Sequence, residues 1–377
     1  MIVDPEGAAV SEETVFRAPS ERSVDYWEPV IVSGAQLRAA ALQLAEGPMP
    51  ESGRRELLIA HPMATEPGPG LAPGIEVRLS VLKPGEETTP KRHNATEVNF
   101  CIGGSGTTMI GDNRFDFALH DVWNHPSWTP YVHRNDAREL QIRLTYSNAA
   151  LLEKMCVHMI DEDPPAPGLP SLAVGLAMED EPPDPTKVNP YGILPFGDHG
   201  ALLMPYEILI NPPAVPSPAY HWPWVDVKER LDQLTALGVS YRGRRLYLLY
   251  NSMTGRTNGT TPNFFATMTV RPPGIVDRPH RHVSAAINYY FSGSGWSRVA
   301  GRRYEWKAGD LMLSAPGWAI HNHASNDDGP VYELTVQDQP LHIAMESLLW
   351  QEDLKLLPRL LGTSAGFGTN RIEVGVL

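Results

Sequence analysis

Three histidines in the second half of the chain have the types and spacing of metal ligands. His280 and His282 form a His-x-His pair, His321 follows about forty residues later, and His323 lies two residues beyond it. If the pair lies on a strand, both rings point to one face, because strand side chains alternate. Three imidazoles on one face would bind a single metal ion and leave positions open for substrate and dioxygen. The spacing therefore predicts a redox metal site.

A duplicated unit predicts the strands that position these residues. Three pairs of segments are offset by 189 residues, namely 84–85 and 273–274, 90–93 and 279–282, and 104–106 and 293–295. The segments at 126–128 and 316–318 are offset by 190. Alternating apolar and polar residues, as in Glu76–Leu82, with Gly and Pro between the runs, are typical of an antiparallel sandwich or jelly roll.

Other local patterns complete this prediction. Gly293-Ser294-Gly295 is interpreted as a turn between strands, because no helical pattern follows it. Helical periodicity is limited to Gly34–Ala45, Val225–Leu237 and Leu341–Leu361. The proline clusters at 181–185 and 212–216 are interpreted as parts of an ordered but irregular connector.

The composition excludes several classes of partner. The chain has 377 residues and a formal net charge of −13, with 44 acidic and 31 basic residues. It has no basic run, so we expect neither a nucleic-acid nor a membrane partner. Cys101 and Cys156 are interpreted as buried thiols in a reducing compartment. The first residues do not resemble a signal peptide and no apolar run would span a bilayer, so a cytoplasmic location is expected.

Two motifs carry a resemblance to the cupins. Gly274-x5-His280-Arg281-His282-x3-Ala286-x6-Gly293 is similar to the first cupin motif, and Pro316–His321 to the second. More narrowly, the chain resembles the bicupin family of gentisate 1,2-dioxygenase, with 1-hydroxy-2-naphthoate and salicylate dioxygenases. The family uses three His and no Glu around Fe(II), and Ala286 stands at the Glu position here. The segments Tyr220–Trp224, Tyr250–Gly255 and Gln337–Leu341 are also similar to that family.

The resemblance implies an all-β bicupin, with two tandem jelly-roll β-barrels and short flanking helices. We expect an N-terminal extension at 1–60, an N-terminal cupin with a degenerate metal site at 61–165 and a connector with a helix at 166–240. A C-terminal cupin with the metal site would follow at 241–345, and a helical tail at 346–377. The apolar stripe around Leu348–Trp350 would dock on another subunit or cap its own barrel. A homo-oligomer, dimer or tetramer, is expected.

The two copies differ in their ligand positions. Lys91 and Tyr131 occupy the positions of His280 and His321 in the first copy, while His93 and His133 match His282 and His323. A protonated Lys does not ligate a cation. Iron is therefore predicted in the C-terminal cupin, whereas the family usually holds it in the N-terminal one. The set His93, Glu97 and His133 is interpreted as structural, with a vestigial or weak metal site as the alternative.

The resemblance also implies an activity and roles at the site. The chain would be an Fe(II)-dependent ring-cleaving dioxygenase of a hydroxylated aromatic acid in aromatic catabolism, with His280, His282 and His321 as ligands. His323 would contact substrate and act in acid–base steps, or hold a ligand in its tautomer.

Substrate recognition is predicted less directly. Asn288 stands where the family has an Arg that anchors the substrate carboxylate, so that group would bind Arg298 or Arg278, or the substrate would differ. Tyr290 and Trp296 would form ring-stacking walls or pack in the barrel core.

Two other functions stay open. One is a three-His dioxygenase of a non-aromatic substrate, and the other is a non-catalytic bicupin that binds a small ligand. An oxalate-type decarboxylase is disfavoured, because Ala286 replaces the Glu that such a site needs.

Overall fold

The computed structural model describes residues 26–168, 189–196, 200–206, 218–238, 241 and 243–362. The proline clusters at 181–185 and 212–216 lie outside these residues. Strands dominate the described part of the chain. Its α-helices are α1 (Gly34–Glu46), α2 (Ala149–Lys154), α3 (Trp224–Ala236) and α4 (Gln339–Ala344), and a 3-10 helix spans Ser252–Thr257.

The strands fall into an N-terminal set, a short connecting set and a C-terminal set. The first comprises β1 (Val30–Val32), β2 (Arg55–Leu58), β3 (Glu76–Leu82), β4 (Arg92–His93), β5 (Glu97–Gly103), β6 (Gly106–Ile110), β7 (Asn113–Phe117), β8 (Val122–His125), β9 (Tyr131–Arg134), β10 (Gln141–Ser147) and β11 (Ile160–Asp161). The connecting strands are β12 (Leu194–Phe196), β13 (Ala201–Leu203) and β14 (His221–Trp222). The last set comprises β15 (Leu246–Leu248), β16 (Phe265–Arg271), β17 (Arg281–His282), β18 (Ala286–Ser292), β19 (Ser294–Val299), β20 (Arg302–Lys307), β21 (Leu311–Ala315), β22 (His321–Ser325), β23 (Val331–Gln337), β24 (Leu349–Gln351) and β25 (Arg359–Leu360).

These strands form two barrels with matching topology. The main sheet of the N-terminal barrel has the order β14-β8-β5-β10-β3-β2, and that of the C-terminal barrel β1-β21-β18-β23-β16-β15. Each is completed by a three-stranded sheet, β7-β6-β9 and β20-β19-β22 respectively. An isolated bridge joins Lys91 to Tyr131 in the first barrel, and one joins His280 to His321 in the second. The predicted all-β fold with two tandem barrels is therefore confirmed.

Each main sheet gains an edge strand from outside its own duplicated unit. β1 pairs with β21, so a strand near the start of the described chain completes the C-terminal barrel. β14 pairs with β8, so a strand of the connecting segment completes the N-terminal barrel. The two barrels are thereby joined by main-chain hydrogen bonds as well as by the linking chain.

The helices follow the predicted periodicity in two of three places. α1 begins at Ser33, whose side chain accepts from the Gln36 N–H while the Gln36 side chain accepts from the Ser33 N–H. This capping box satisfies two backbone donors and sets the start of the helix. α1 and α3 confirm the predictions for Gly34–Ala45 and Val225–Leu237.

The helical prediction for Leu341–Leu361 holds for residues 341–344, which lie in α4, and is wrong over residues 345–361. The last described helix, α4, ends at Ala344, and β24 and β25 follow. β24 pairs with β17, which carries His282, and this pairing outweighs the local helical pattern. Residues 363–377 lie outside the described part.

The cysteines differ from each other. Cys101 is buried, as predicted, and burial raises the pKa of its thiol to about 12. Cys156 is exposed, so the prediction of a buried thiol is wrong there. It follows the C-terminus of α2 with φ of 59°, and its N–H caps the carbonyl of Glu153. Both cysteines are free.

One hydrophobic core spans the two barrels. Phe100 of β5 is fully buried, and its ring centroid lies 5.6 Å from that of Tyr289 and 5.7 Å from that of Phe291, both on β18. The barrels therefore pack through aromatic side chains on their facing strands. None of the described helices is long and apolar enough to cross a membrane.

Candidate metal centre

Three histidines of the C-terminal barrel lie together, as their spacing predicts. The potential ligand atoms of His280, His282 and His321 all lie within 4.8 Å of one another, and the three side chains are buried. His282 lies on β17 and His321 opens β22, to which His280 is joined by two backbone hydrogen bonds. The antiparallel contact brings the first and second cupin motifs together.

Backbone carbonyls orient all three rings in the same way. The Nδ1 atoms of His280, His282 and His321 lie 3.2, 2.8 and 2.9 Å from the carbonyl oxygens of Arg278, Ser284 and Ala319. Since a carbonyl only accepts, each Nδ1 carries the proton and each Nε2 keeps its lone pair. This is the usual second hydrogen bond of a metal-binding histidine. The three residues therefore fit a metal ion bound through Nε2.

The charge state of the cluster fits the same role. Burial lowers the pKa of His280 and His282 well below the usual value, and lowers that of His321 to about 4. Neutral imidazole is the form that binds a metal. Such a set offers three nitrogen ligands and no carboxylate, so a divalent ion bound there would keep its full positive charge.

Trp350 covers two of the rings. Its ring stacks on His280 at a centroid distance of 5.6 Å and on His282 at 4.7 Å, with interplanar angles of 24° and 22°. β24 places it there by pairing with β17, where His282 is the direct partner of Trp350. Of the two alternatives for the apolar stripe, the structure supports the cap on its own barrel. Trp350 at this site was not expected from the sequence.

Arg244 is a second residue that the sequence reasoning missed. Its positive charge contributes to lowering the pKa of four histidines, after the larger effect of burial, and these are His280, His282, His321 and His323. The guanidinium pairs with Glu352 at 3.1 Å and is 35% exposed. Glu352 in turn accepts from the indole N–H of Trp350 at 2.9 Å. A cation thus lies beside the cluster, at the end that Trp350 covers.

His323 belongs to a hydrogen-bonded network behind the cluster. Its ring centroid lies 5.8 Å from that of His321, and its Nδ1 lies 2.7 Å from Oγ of Ser297. Ser297 Oγ also accepts from Nε1 of Trp306 at 2.9 Å. Burial lowers the pKa of His323 well below its usual value. Ser297 therefore fixes the orientation of the His323 ring from inside the barrel.

The four predicted substrate-binding residues divide into two buried and two outward-facing. Asn288 donates to Oγ1 of Thr335 and accepts from Ser314, and Tyr290 stacks on Trp306 at 3.7 Å. Both lie in the barrel interior.

Arg298 and Trp296 alternate on β19 with Ser297, which is the residue that faces His323. Arg298 is exposed and the Arg303 guanidinium lies 4.6 Å from the Trp296 ring centroid, so both point to the outer face. Strand alternation turns both side chains away from the histidine cluster, which does not favour the prediction that they bind substrate there. Arg278 contributes its backbone carbonyl to His280, and its side chain is exposed.

Among its described residues, the N-terminal barrel has no equivalent three-histidine cluster. Lys91 pairs with Glu162 at 3.3 Å, and the Tyr131 hydroxyl lies 3.4 Å from Nε2 of His93. A different group forms there, His93 with Glu97 and His125, whose potential ligand atoms lie within 4.8 Å of one another. The expected third member, His133, is not part of this group. His125 had no motif to mark it in the sequence.

Comparisons with known proteins agree with this architecture. Residues 265–355 match the family described as the AraC-like ligand binding domain. The chain is 24% identical to a 5-aminosalicylate 1,2-dioxygenase of Comamonas sp. over 71% of this chain and 66% of that one. It is 25% identical to a 1-hydroxy-2-naphthoate 1,2-dioxygenase of Nocardioides sp. (strain KP7), over 93% and 85%. The match to the Comamonas protein thus spans just under two thirds of its length.

A solved structure has the same fold. The salicylate 1,2-dioxygenase of Pseudaminobacter salicylatoxidans superposes with a TM-score of 0.67 at 17% identity, and the alignment covers 91% of each chain. The predicted bicupin fold is confirmed by this match. With its duplicated barrels and with relatives of this kind, the chain fits the bicupin gentisate 1,2-dioxygenase-like family, as the sequence predicts.

Proposed function

We propose that this chain is a non-haem iron dioxygenase that opens the ring of a hydroxylated aromatic acid of the gentisate, salicylate or hydroxynaphthoate type. The observation that carries the proposal is the convergence of His280, His282 and His321, each with its Nδ1 bonded to a carbonyl. It stands in a chain whose relatives are named as dioxygenases of such acids.

The ligand set supports Fe(II) in the C-terminal barrel. His280, His282 and His321 would hold the ion through neutral imidazoles, and a set of three such ligands would leave room for a chelating substrate and for dioxygen. When bound, the iron would supply the redox chemistry between dioxygen and the ring. The protein's part is to hold the ligands, to position the substrate and to exclude water with Trp350 at the cluster.

Arg244 is our candidate for the residue that binds the substrate carboxylate. We prefer it to Arg298 for this role, because Arg298 faces outward. Arg244 lies close enough to the histidines for its charge to lower the pKa of each of the four, His280, His282, His321 and His323. Asn288 cannot form a charge-assisted pair with a carboxylate. A guanidinium that is partly exposed and held by Glu352 can exchange or share that partner when an anionic substrate enters.

His323 is our candidate for the proton-transfer residue. It lies beside His321 and outside the three-ligand group, and Ser297 holds its Nδ1. With Nδ1 held by Ser297, Nε2 is the atom that would accept a proton from the substrate or donate one to it. Iron, substrate position and proton transfer are thereby assigned to separate residues.

Iron content and oxygen uptake together test this function. We expect His282→Ala to lose the iron of the C-terminal barrel and the oxygen uptake that gentisate, salicylate or 1-hydroxy-2-naphthoate elicits. His342→Gln is the matched control, because this histidine pairs with Asp338 and Ser347 and is not in the cluster. Uptake only with a diketone or a thiol would indicate a dioxygenase of a non-aromatic substrate instead.

A binding protein without catalysis is the second candidate. The match of residues 265–355 to a ligand-binding domain favours it. It predicts tight binding of an aromatic acid by the iron-loaded chain, measured by calorimetry, without oxygen uptake from any of these compounds. Ring-opened product in an aerobic incubation would exclude it.

A further inference from the structure

We propose a second divalent-metal site, in the N-terminal barrel, formed by His93, Glu97 and His125. The three side chains are 2%, 1% and 1% exposed, and their potential ligand atoms lie within 4.8 Å of one another. The site is independent of the function proposed above, because it uses none of the C-terminal histidines.

The site arises from an exchange of ligand positions between the two barrels. In the C-terminal barrel, Ala286 of β18 lies directly opposite Ala315 of β21. At the same place in the N-terminal barrel, Glu97 of β5 lies opposite His125 of β8. The first copy therefore lacks two of the three histidine ligands, because Lys91 and Tyr131 occupy their positions. It has two other potential ligands, Glu97 and His125, which face each other across neighbouring strands. His93 is common to both arrangements.

His93 keeps the orientation of a metal ligand. Its Nδ1 lies 3.1 Å from the carbonyl oxygen of Ala95, two residues later, as Nδ1 of His282 lies 2.8 Å from that of Ser284. The proton on Nδ1 leaves Nε2 as the nitrogen that a metal would bind, and the Tyr131 hydroxyl lies 3.4 Å from this atom. That Nε2 lies 3.2 Å from Oε1 of Glu97.

His125 presents its other nitrogen. Its Nε2 lies 2.8 Å from the carbonyl oxygen of Thr129, so the proton is on Nε2. Its Nδ1 is buried, has no hydrogen-bond partner among the described residues, and lies 3.8 Å from Oε2 of Glu97. With lone pairs on His93 Nε2 and His125 Nδ1 directed at the Glu97 carboxylate, the three groups repel one another. A cation bound between them would replace this repulsion with attraction.

The donor types select the kind of cation. Two imidazoles and one carboxylate suit a first-row divalent ion such as Zn²⁺, Mn²⁺, Fe²⁺ or Co²⁺, and not Ca²⁺ or Mg²⁺. Arg78 Nη2 lies 2.6 Å from Oε1 of Glu97, whereas Oε2 accepts a longer hydrogen bond, from Asn99 Nδ2 at 3.4 Å, so Oε2 is the oxygen more open to a metal. The charge of Arg78 opposes the cation, and the site should therefore bind less tightly than a carboxylate site without it.

Cobalt binding to the full-length chain tests the second site. Metal-free protein is titrated with Co²⁺, and the equivalents are counted by absorbance and by elemental analysis. We expect two equivalents per chain for the unaltered protein and one for Glu97→Gln or His125→Ala. His133→Ala is the matched control, because this buried imidazole of the same barrel lies outside the group, and it should keep both.

A third variant separates this site from the C-terminal one. His282→Ala should retain one equivalent of Co²⁺, and adding Glu97→Gln to it should remove that equivalent. Glu97→Gln keeps the side-chain size, so it remains informative if His125→Ala does not fold. One equivalent in the unaltered protein, lost with His282→Ala and kept with Glu97→Gln, would overturn the proposal. In that case a protonated His93 paired with Glu97 would account for the geometry.

Discussion

At the scale of single residues, the chemistry of this chain depends on which nitrogen of each histidine is free. His280, His282 and His321 each give Nδ1 to a backbone carbonyl, and this commits Nε2 to the cluster. His323 instead gives Nδ1 to the side chain of Ser297. A backbone partner fixes a ligand, whereas a hydroxyl partner can both donate and accept. This difference suits His323 to proton transfer.

The role of His323 can be measured apart from metal binding. We expect His323→Gln to keep the iron content of the unaltered protein and to lower kcat about 100-fold or more, because a general acid–base residue is lost. Iron analysis and steady-state oxygen uptake give the two quantities. If iron is lost together with activity, His323 serves to hold a ligand and not to move a proton.

Arg244 leads to a prediction on substrate affinity. Arg244→Gln should raise KM for an aromatic acid about 10- to 100-fold, since hydrogen bonds to a charged group contribute about 1.5–3 kcal/mol. Iron content should not change. Arg298→Gln is the control, because its side chain is exposed on the outer face of β19 and should leave KM unaltered. Equal effects of the two substitutions would mean that general charge, and not a specific contact, attracts the substrate.

The sequence predicted the histidine cluster because a motif fixes the spacing of its members. It did not predict which residues of β19 point into the barrel. The His-x-His pair predicts two rings on one face in any register, so the cluster followed from the sequence. Arg298 and Trp296 lie near the motif in the chain, but this does not decide which face of β19 they occupy. A shift of one position along the strand moves a side chain from the inner to the outer face. Arg244 and Trp350 reach the site from distant segments, which no local pattern reveals.

At the scale of elements, short strands from outside the duplicated units close the barrels. The capping box at Ser33 and the apolar spacing made α1 predictable. The strands of the C-terminal tail were not predictable, because β24 forms its hydrogen bonds with β17 and its Trp350 is buried against the histidines. Local propensity is a weak guide when a partner strand lies at hand.

The packing of β24 on the cluster leads to a stability prediction. Trp350 is 6% exposed, so Trp350→Ala should lower the free energy of unfolding by about 3 kcal/mol or more. It should also weaken iron binding, since two ligand rings lose their packing partner. Chemical denaturation and competition with a chelator measure the two effects. Leu349→Ala, at a neighbouring position that is 39% exposed, should change both much less.

At the scale of the whole molecule, duplication has produced two barrels that share a core but not a ligand set. The 189-residue offset made the duplication predictable. The pairing of β1 with the C-terminal barrel and of β14 with the N-terminal barrel was not predictable. These strands have only three and two residues, and such short strands have almost no recognisable sequence pattern. The interface between the barrels (the joint) could not be predicted either. In the sequence, Phe100, Tyr289 and Phe291 are ordinary strand residues, and only the packing of the two sheets brings them into contact.

His120 makes this joint sensitive to acid. Its ring lies 4.4 Å from that of Phe291 and 6.0 Å from that of Phe100, so it packs between the barrels. Burial lowers its pKa from 6.5 to about 4, although Asp121 opposes the shift. Between these two values the unfolded chain binds a proton that the folded chain does not. Stability should therefore be unaffected by this group above about pH 6.5 and fall as the pH decreases toward 4.

His120→Asn tests the contribution of this one group, since Asn tolerates the positive φ of 70° at this position. The variant should be less stable than the unaltered protein at pH 7.5, because stacking is lost. Its free energy of unfolding should then fall less steeply between pH 6.5 and 4.5, by at most about 1.4 kcal/mol per pH unit. Urea unfolding at several pH values, with both proteins in the same metal state, gives the two slopes. Parallel curves would mean that other histidines carry the acid sensitivity, and that the joint tolerates a charged ring at position 120.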